Sequence, residues 1–546
     1  MRIVQDPPGP ERLQPRPIPG GPRDIPELLT RAAAAHPDQE ALVGARRRYS
    51  YAEMLEAVEA GAAALHDFGI RAGDRVAATA PNQTDLMLAF LAVQWLGGVW
   101  VGVSKQLAAP ELQYQLQDSG AVLYMADAAT LAKLRQVMGS GEADLRTIDM
   151  EPGENQWLGL IETNRGRRAP RIEIDPLAPA AIAYTSGTTG VPKGSVHSQH
   201  GLLVVAAHAA YRSRAKGAAF RRAATLPLTI LNIVAKEGLA AFAAGGTFVI
   251  MDRLDAAGVA EWIARERVES VVCSPPTVMD FINRADITPA AMNSIQALTC
   301  GGGPCPQHLR DGFMRKFGKP LYVSWGLTEA PTSVSGGFTD ACPPDSAGRV
   351  FDHLEVVVRR PDGALAAPGE GGELYVRAAS TGAWAGVYAP MLGYWGLRAE
   401  TAAALPGGEL RTGDIGRIDP DGWLFIIDRA KSVIVRGGQN IYPAEVERLL
   451  KGHPGILDAV VLPMPDERFG EVALAALELA QEPPDRQALQ RDLAALCSRE
   501  LAKFKCPERW VMLPSFPRNA MMKVNRQDLR AQCLALIAVE AANRAP

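Results

Sequence analysis

Residues 185–194 read Thr-Ser-Gly-Thr-Thr-Gly-Val-Pro-Lys-Gly, directly after the strand-like Ala-Ile-Ala-Tyr of 181–184. Glycines let backbone N–H groups approach an anion with no Cβ in the way. The hydroxyls of Thr185, Ser186, Thr188 and Thr189 add donors, and Lys193 adds a positive charge. The segment therefore has the chemistry of a phosphate-holding loop. A polar surface hairpin uses the same residue types. A Walker A loop is excluded, because that pattern needs glycine immediately before the lysine and Pro192 stands there. Other reactive groups are less organised. His197 and His200 have no cysteine or carboxylate cluster to complete a metal site and read as structural. Cys300 and Cys305 lack a His/Asn pairing motif and read as packed thiols. Asp414 is a carboxylate able to accept from two vicinal hydroxyls, the donor pair of a ribose, or else a turn aspartate after Gly413.

The ten residues from Thr185, with Gly187 at the first glycine, resemble the signature loop of the adenylate-forming superfamily. That superfamily includes acyl- and aryl-CoA ligases, luciferases and the adenylation domains of peptide synthetases. Further segments match in the family's order. Cys300-Gly301-Gly302-Gly303-Pro304 resembles the stretch that lies against adenine, and Trp325-Gly326-Leu327-Thr328-Glu329 the aromatic-Gly-x-Thr-Glu motif. Arg411-Thr412-Gly413-Asp414 resembles the ribose-binding motif, Asp428-Arg429-Ala430-Lys431 the hinge, and Gly437-Gly438-Gln439-Asn440-Ile441 the coenzyme A-side loop after it. Lys523 stands where the family has its late catalytic lysine, although Met522 replaces the usual preceding glycine. A side chain there restricts the backbone that delivers the lysine.

The resemblance implies a two-step ligase. A carboxylic acid and ATP give an acyl-AMP and pyrophosphate, then coenzyme A gives the thioester and AMP. A carboxylate attacking an α-phosphate is an anion approaching a polyanion, so positioning and charge neutralisation dominate. By resemblance, Glu329 holds Mg²⁺, Thr328 donates to the α-phosphate, and Lys523 bridges substrate carboxylate and α-phosphate. Trp325 stacks on adenine, Asp414 binds the ribose, Arg429 adds a ribose or phosphate contact, and Lys431 is the hinge. Three rival functions share the fold: a freestanding amino-acid or aryl-acid adenylation protein, a luciferase-like oxygenase, and a non-catalytic nucleotide-binding relative.

An acyl pocket is implied at Ile230, Ile233, Gly301, Gly326 and Ala330. Many relatives carry an aromatic residue and a histidine where Thr229 and Ile230 stand, so Ile230 cannot act as a polar gate. Acetate-specific relatives have tryptophan at the position of Gly326. Glycine leaves that volume open, which implies an aromatic, alicyclic or medium-chain acid. Lys236 lies close by. We read it as a lysine whose stem packs while its head reaches solvent, the alternative being a group that selects a second carboxylate or a hydroxyl.

Positioning these residues takes a large scaffold, and the 546 residues, 47% hydrophobic and 21% charged, supply one with internal subdivisions. The net charge of −3 points to neither nucleic acid nor an anionic membrane surface. Seven cysteines without a C-x-x-C pair fit a reducing, cytoplasmic setting. Residues 1–24 read as a Pro-rich leader without the apolar centre of a signal peptide. The apolar run 86–103 is split by Gly97-Gly98 into a buried helix and a buried strand, not a membrane span.

From 25 to 428, β-prone runs at 75–78, 246–250 and 270–273 alternate with Ala/Leu-rich helices. This gives an α/β domain of layered, mostly parallel sheets, with a barrel-like part after about residue 350 (strands at 354–358 and 373–377). Residues 429–546 read as a small, mobile α+β lid domain carrying Lys523. A homodimer is compatible with this plan.

Overall fold

The computed structural model describes residues 14–136, 145–170, 172–185, 192–214, 220–303, 305–337, 341–429, 432, 434–436, 439–441, 443–466, 469–501, 503–518 and 523–544. The chain divides into two compact units, one of Met1–Val357, Tyr375–Thr412 and Asp419–Phe425, the other of Val358–Leu374, Gly413–Ile418 and Ile426–Pro546.

In the first unit, parallel strands alternate with helices whose starts are fixed by local chemistry. Asp24 caps the helix Ile25–Ala35, and Ser50 with Glu53 forms a reciprocal capping box for Tyr51–Asp67. The helix Thr84–Trp95 is buried on nearly every side, as its unbroken apolar run requires. It gives way at Gly97-Gly98 to the strand Val99–Gly102. Among the described residues no helix is long and apolar enough to cross a membrane.

Two sheets carry the first unit. One has nine strands, in the order Arg349–Val350, Thr332–Gly337, Leu321–Leu327, Ala297–Cys300, Ser270–Cys273, Arg221–Ala224, Thr247–Ile250, Glu40–Val43 and Arg48–Ser50. Its inner strands are parallel and its edge strands antiparallel. The other has seven, in the order Gly393–Tyr394, Lys193–Ser198, Pro179–Thr185, Val99–Gly102, Arg75–Thr79, Leu123–Ala126 and Arg146–Asp149. Such sheets bury both faces, and their strands read as continuous apolar runs. A separate four-stranded sheet is made by Leu354–Arg359, Gly372–Ala378, Leu410–Ile418 and Leu424–Arg429.

The second unit is centred on a long antiparallel pair, Ile456–Asp466 with Gly470–Leu479. Strand alternation sends Val461, Ala473, Ala475 and Leu477 to one face, against Val446, Leu450 and Leu493 of the helices Pro443–Lys451 and Arg486–Glu500. Val460, Leu462, Leu474 and Ala476 point the other way, onto Leu529 and Cys533 of the helix Arg526–Arg544.

Candidate active site

The residues singled out in the first unit gather at strand ends. Pro179–Thr185 and Lys193–Ser198 pair antiparallel with Thr185 opposite Lys193. The loop between them is thereby presented by a rigid hairpin; Ser186, Gly187, Thr188 and Thr189 lie outside the described residues, as does Pro304. In the other sheet, Ala297–Cys300 and Leu321–Leu327 run parallel with Cys300 opposite Val323. Gly301–Gly303 therefore follow one strand at its carboxyl end and Trp325–Glu329 form and follow the carboxyl end of its neighbour, where ligands of open α/β sheets bind. Gly302 and Gly303 are exposed, and Gly302 sits at φ +78°, a conformation that a side-chain-bearing residue adopts only under strain. A register shift falls between Trp325 and Gly326, and such bulges re-aim side chains next to sites. Trp325 is half-buried, and Thr328 and Glu329 keep accessible surface.

The decisive geometry involves a residue that sequence reasoning did not single out. The Tyr394 hydroxyl donates to Glu329 Oε1 at 3.0 Å, and the Lys193 ammonium lies 5.4 Å from the centroid of the Tyr394 ring. Tyr394 is held by the short strand Gly393–Tyr394, which pairs with Val196 and Ser195, and by the Trp395 N–H donating to Gly194 O at 2.7 Å. Glu329 is fixed in turn by Met391 N–H donating to its carbonyl at 2.9 Å. Three segments far apart in sequence thus deliver a cation, a phenol and a carboxylate to one place. The Glu329 carboxylate would suit a hard cation, which would supply charge neutralisation, and the Lys193 ammonium would add a positive charge for a phosphate.

His197 and His200 are internal. His197 lies 3.0 Å from the Ser195 hydroxyl, and burial pushes its imidazole down to about 3. His200 Nε2 is 2.7 Å from Val387 O. Cys300 is buried, Cys305 half-buried, and both are free thiols.

The segment leading to the implied acyl pocket is pinned by Asn82, also missed from sequence. Its Nδ2 donates to Leu226 O at 3.0 Å and its Oδ1 accepts from Leu228 N at 2.9 Å. Gly102 lets the segment come close, because a Cβ there would lie 2.4 Å from Thr229 O. Ile230 keeps accessible surface, whereas Ile233, Gly301 and Ala330 are buried. Glu237, 3% exposed, is ion-paired with Arg222 at 3.4 Å.

In the second unit, Asp414 is buried at 3% exposure in mid-strand, just after Gly413 at φ +70°. Asp428 accepts from Ala444 N at 2.8 Å, at the start of the helix Pro443–Lys451. Arg429 ends the strand Leu424–Arg429. Lys431, Gly437 and Gly438 lie outside the described residues. Lys523 is exposed, and the chain on either side of it is anchored: Arg518 pairs with Asp458 and Glu478 at 3.0 Å, and Arg526 with Glu447 at 2.6 Å.

Residues 29–395 match the family model described as AMP-binding enzyme, and residues 445–523 match AMP-binding enzyme C-terminal domain. The chain belongs to the AMP-binding enzyme family. Among curated proteins it is similar to a long-chain-fatty-acid–CoA ligase of Mycobacterium tuberculosis, 30% identical over 94% of this chain and 99% of the relative. It is similar to indoleacetate–CoA ligase of Aromatoleum aromaticum at 30% identity, over 93% and 98% of the two chains. Among solved structures it resembles o-succinylbenzoate CoA synthetase of Bacillus subtilis in complex with its acyl-adenylate intermediate, with TM-score 0.77 and 28% identity over 92% of this chain and 97% of that one. Within the family, this chain is an AMP-forming acyl-CoA synthetase.

Proposed function

We propose that the protein joins a bulky, mainly apolar carboxylic acid to coenzyme A, using ATP and Mg²⁺ to form the acyl-AMP first. The convergence of Lys193 and Glu329 on Tyr394 carries the adenylation half of this reading. Glu329 holds Mg²⁺, which supplies charge neutralisation on the phosphates. Lys193 and the hydroxyls of Thr185, Ser186, Thr188 and Thr189 bind phosphate oxygens. Thr328 donates to the α-phosphate. Trp325 stacks on adenine beside Gly302, Gly303 and Pro304, Asp414 and Arg429 bind the ribose, and Lys523 bridges the carboxylate and the α-phosphate. Ile230, Ile233, Gly301, Gly326 and Ala330 bound the acyl pocket.

An amino-acid substrate needs an acid for its α-ammonium, and Glu237, the acid nearest the pocket segment, is already engaged by Arg222. A cytoplasmic location, consistent with free thiols throughout, and a homodimer complete the proposal. The test is acid-dependent ATP–pyrophosphate exchange, followed by AMP release with and without coenzyme A. Exchange that no acid stimulates would overturn the ligase reading.

Two further outcomes are expected. Tyr394→Phe removes the hydrogen bond on Glu329, so pyrophosphate exchange should fall about tenfold, as for a bond to a charged group worth ~1.5 kcal/mol, and the Mg²⁺ half-saturation should rise. Equal Mg²⁺ half-saturation in mutant and wild type would contradict the role given to Glu329. In this proposal residues 429–546 form a lid that turns at Lys431 between half-reactions, and proline fixes φ. Lys431→Pro should therefore impair thioester formation more than adenylation, and equal losses would count against a hinge there.

A further inference from the structure

Two histidines and an aspartate that take no part in the candidate active site meet elsewhere in the first unit. His208 stands in the helix Gln199–Arg214 at 3% exposure. Asp352 and His353 lie in the turn between the strands Arg349–Val350 and Leu354–Arg359. The backbone of this turn is held at three points: Phe351 N–H donates to Val334 O at 3.1 Å, Leu354 N–H to Phe351 O at 3.2 Å, and Ala379 N–H to His353 O at 3.4 Å. Packing of the helix on the turn puts His208 Nε2 2.5 Å from Asp352 Oδ1 and the two imidazole rings 4.0 Å apart, centroid to centroid. One ligand atom from each of the three residues lies within 4.8 Å of the others, and no other His, Cys, Asp or Glu trio among the described residues converges in this way.

A hydrogen bond between His208 and Asp352 accounts for two members of the group. It leaves the third unexplained. His353 is fully buried, and neither its Nδ1 nor its Nε2 has a hydrogen-bond partner among the described residues. A neutral imidazole carries one donor and one acceptor, and burying both unpaired is costly. The rings of Phe351, Trp384 and Tyr388 surround it at centroid distances of 6.2, 6.3 and 5.9 Å without supplying a partner, and the Tyr388 hydroxyl is itself buried and unpaired. A metal ion would take up the lone pair of His353 and use the two ligand atoms already beside it.

We propose that His208, Asp352 and His353 bind one divalent transition-metal ion of the Zn²⁺ class, through two imidazole nitrogens and a carboxylate oxygen. The chemistry of the set selects the ion. Imidazole suits Zn²⁺ and its neighbours, whereas Mg²⁺ and Ca²⁺ prefer oxygen ligands. Charge points the same way: Arg212, stacked 4.3 Å over the Phe351 ring, interacts with Asp352 and opposes any cation held by net charge alone. Ligands of a tetrahedral Zn²⁺ stand roughly 3.3 Å apart, so the three atoms need shifts on the order of an ångström to share one ion. The Asp352 side chain, 63% exposed, gives the ion a way in and leaves a fourth position to water. Bound there, the ion would clamp the helix to the turn. It is made of residues other than Glu329, the expected Mg²⁺ holder, and does not rest on the ligase reading.

The test uses untagged full-length protein stripped of metal by a chelator and titrated calorimetrically with zinc sulfate in excess magnesium chloride. A single Zn²⁺ per chain should bind, with a rise in thermal midpoint that magnesium chloride alone does not give. Asp352→Asn changes an exposed side chain, so folding is not at risk, and His353→Gln removes the buried ligand. Each should weaken Zn²⁺ binding by about tenfold or more, since even partners of a ligand are worth about 10–100-fold. Co²⁺ in place of Zn²⁺ should show visible d–d absorption that both substitutions diminish. Absence of binding, unchanged affinity in either variant, or a thiolate-to-Co²⁺ charge-transfer band marking a cysteine site would overturn the proposal. Zn²⁺ binding without acid-dependent pyrophosphate exchange would keep this site and refute the ligase reading.

Discussion

Replacing Lys523 by alanine is expected to suppress acyl-AMP formation by roughly 10²–10³-fold, ~3–4 kcal/mol of transition-state stabilisation, which is the scale lost when one preorganised donor to a developing charge is removed. The substitution should leave thioester formation from supplied acyl-AMP nearly intact, because charge between carboxylate and α-phosphate develops only in the first step. Folding is not at stake. Lys523 is exposed, and the anchors on either side of it, Arg518 on Asp458 and Glu478 and Arg526 on Glu447, do not involve its side chain. Surface substitutions of this kind change stability within about ±0.5 kcal/mol. The two half-reactions are measured separately, by pyrophosphate exchange and by thioester yield from synthetic acyl-AMP. An intact exchange rate would sink the assignment and would mean that Met522, in place of a glycine, redirects the lysine. Loss of both half-reactions would mean that Lys523 acts structurally or in both steps.

The sequence was most informative where chemistry demands particular residue types in one short run. The hydroxyl- and glycine-rich run from Thr185 has by itself the chemistry of a phosphate-holding loop, whereas the roles expected of Trp325–Glu329 come from the resemblance and not from residue types alone. The strands at 75–78 and 270–273 and the helix–strand break at Gly97-Gly98 were legible as well, because period and punctuation are local. What escaped was tertiary pairing. Tyr394 lies 65 residues from Glu329 in sequence, and nothing in Leu392-Gly393-Tyr394-Trp395 shows that its hydroxyl will meet that carboxylate. His208 and Asp352, 144 residues apart, come within 2.5 Å beside His353 through packing alone. Ile233 is buried, as are Gly301 and Ala330, while Ile230 keeps accessible surface. A helix this rich in apolar residues gives little amphipathic phase from which its accessible face could be read.

Gly326→Trp is expected to cost activity with large acids by about 10²-fold or more while small acids such as acetate and propionate lose much less. The site admits the substitution without backbone strain, because Gly326 is absent from the glycines at positive φ and is exposed on the strand Leu321–Leu327. An indole placed there occupies the volume that the proposal gives to the acyl chain. Each methylene excluded forfeits ~0.8 kcal/mol of burial, so four or five methylenes are worth about 3–4 kcal/mol, which is the factor expected between hexanoate and acetate in the mutant relative to wild type. Substitution elsewhere on the wall would blur this readout, since Ala330 and Gly301 are fully buried and a bulky side chain would disturb the core. At Gly301 a Cβ alone would come within 3.1 Å of Ser324 Oγ. The measurement is a series of straight-chain acids from two to ten carbons, assayed by AMP release in both proteins. A chain-length profile that shifts toward short acids supports the pocket at Gly326. A uniform drop across the series would mean that the indole blocks the nucleotide instead, and an unchanged profile would place the acyl chain elsewhere.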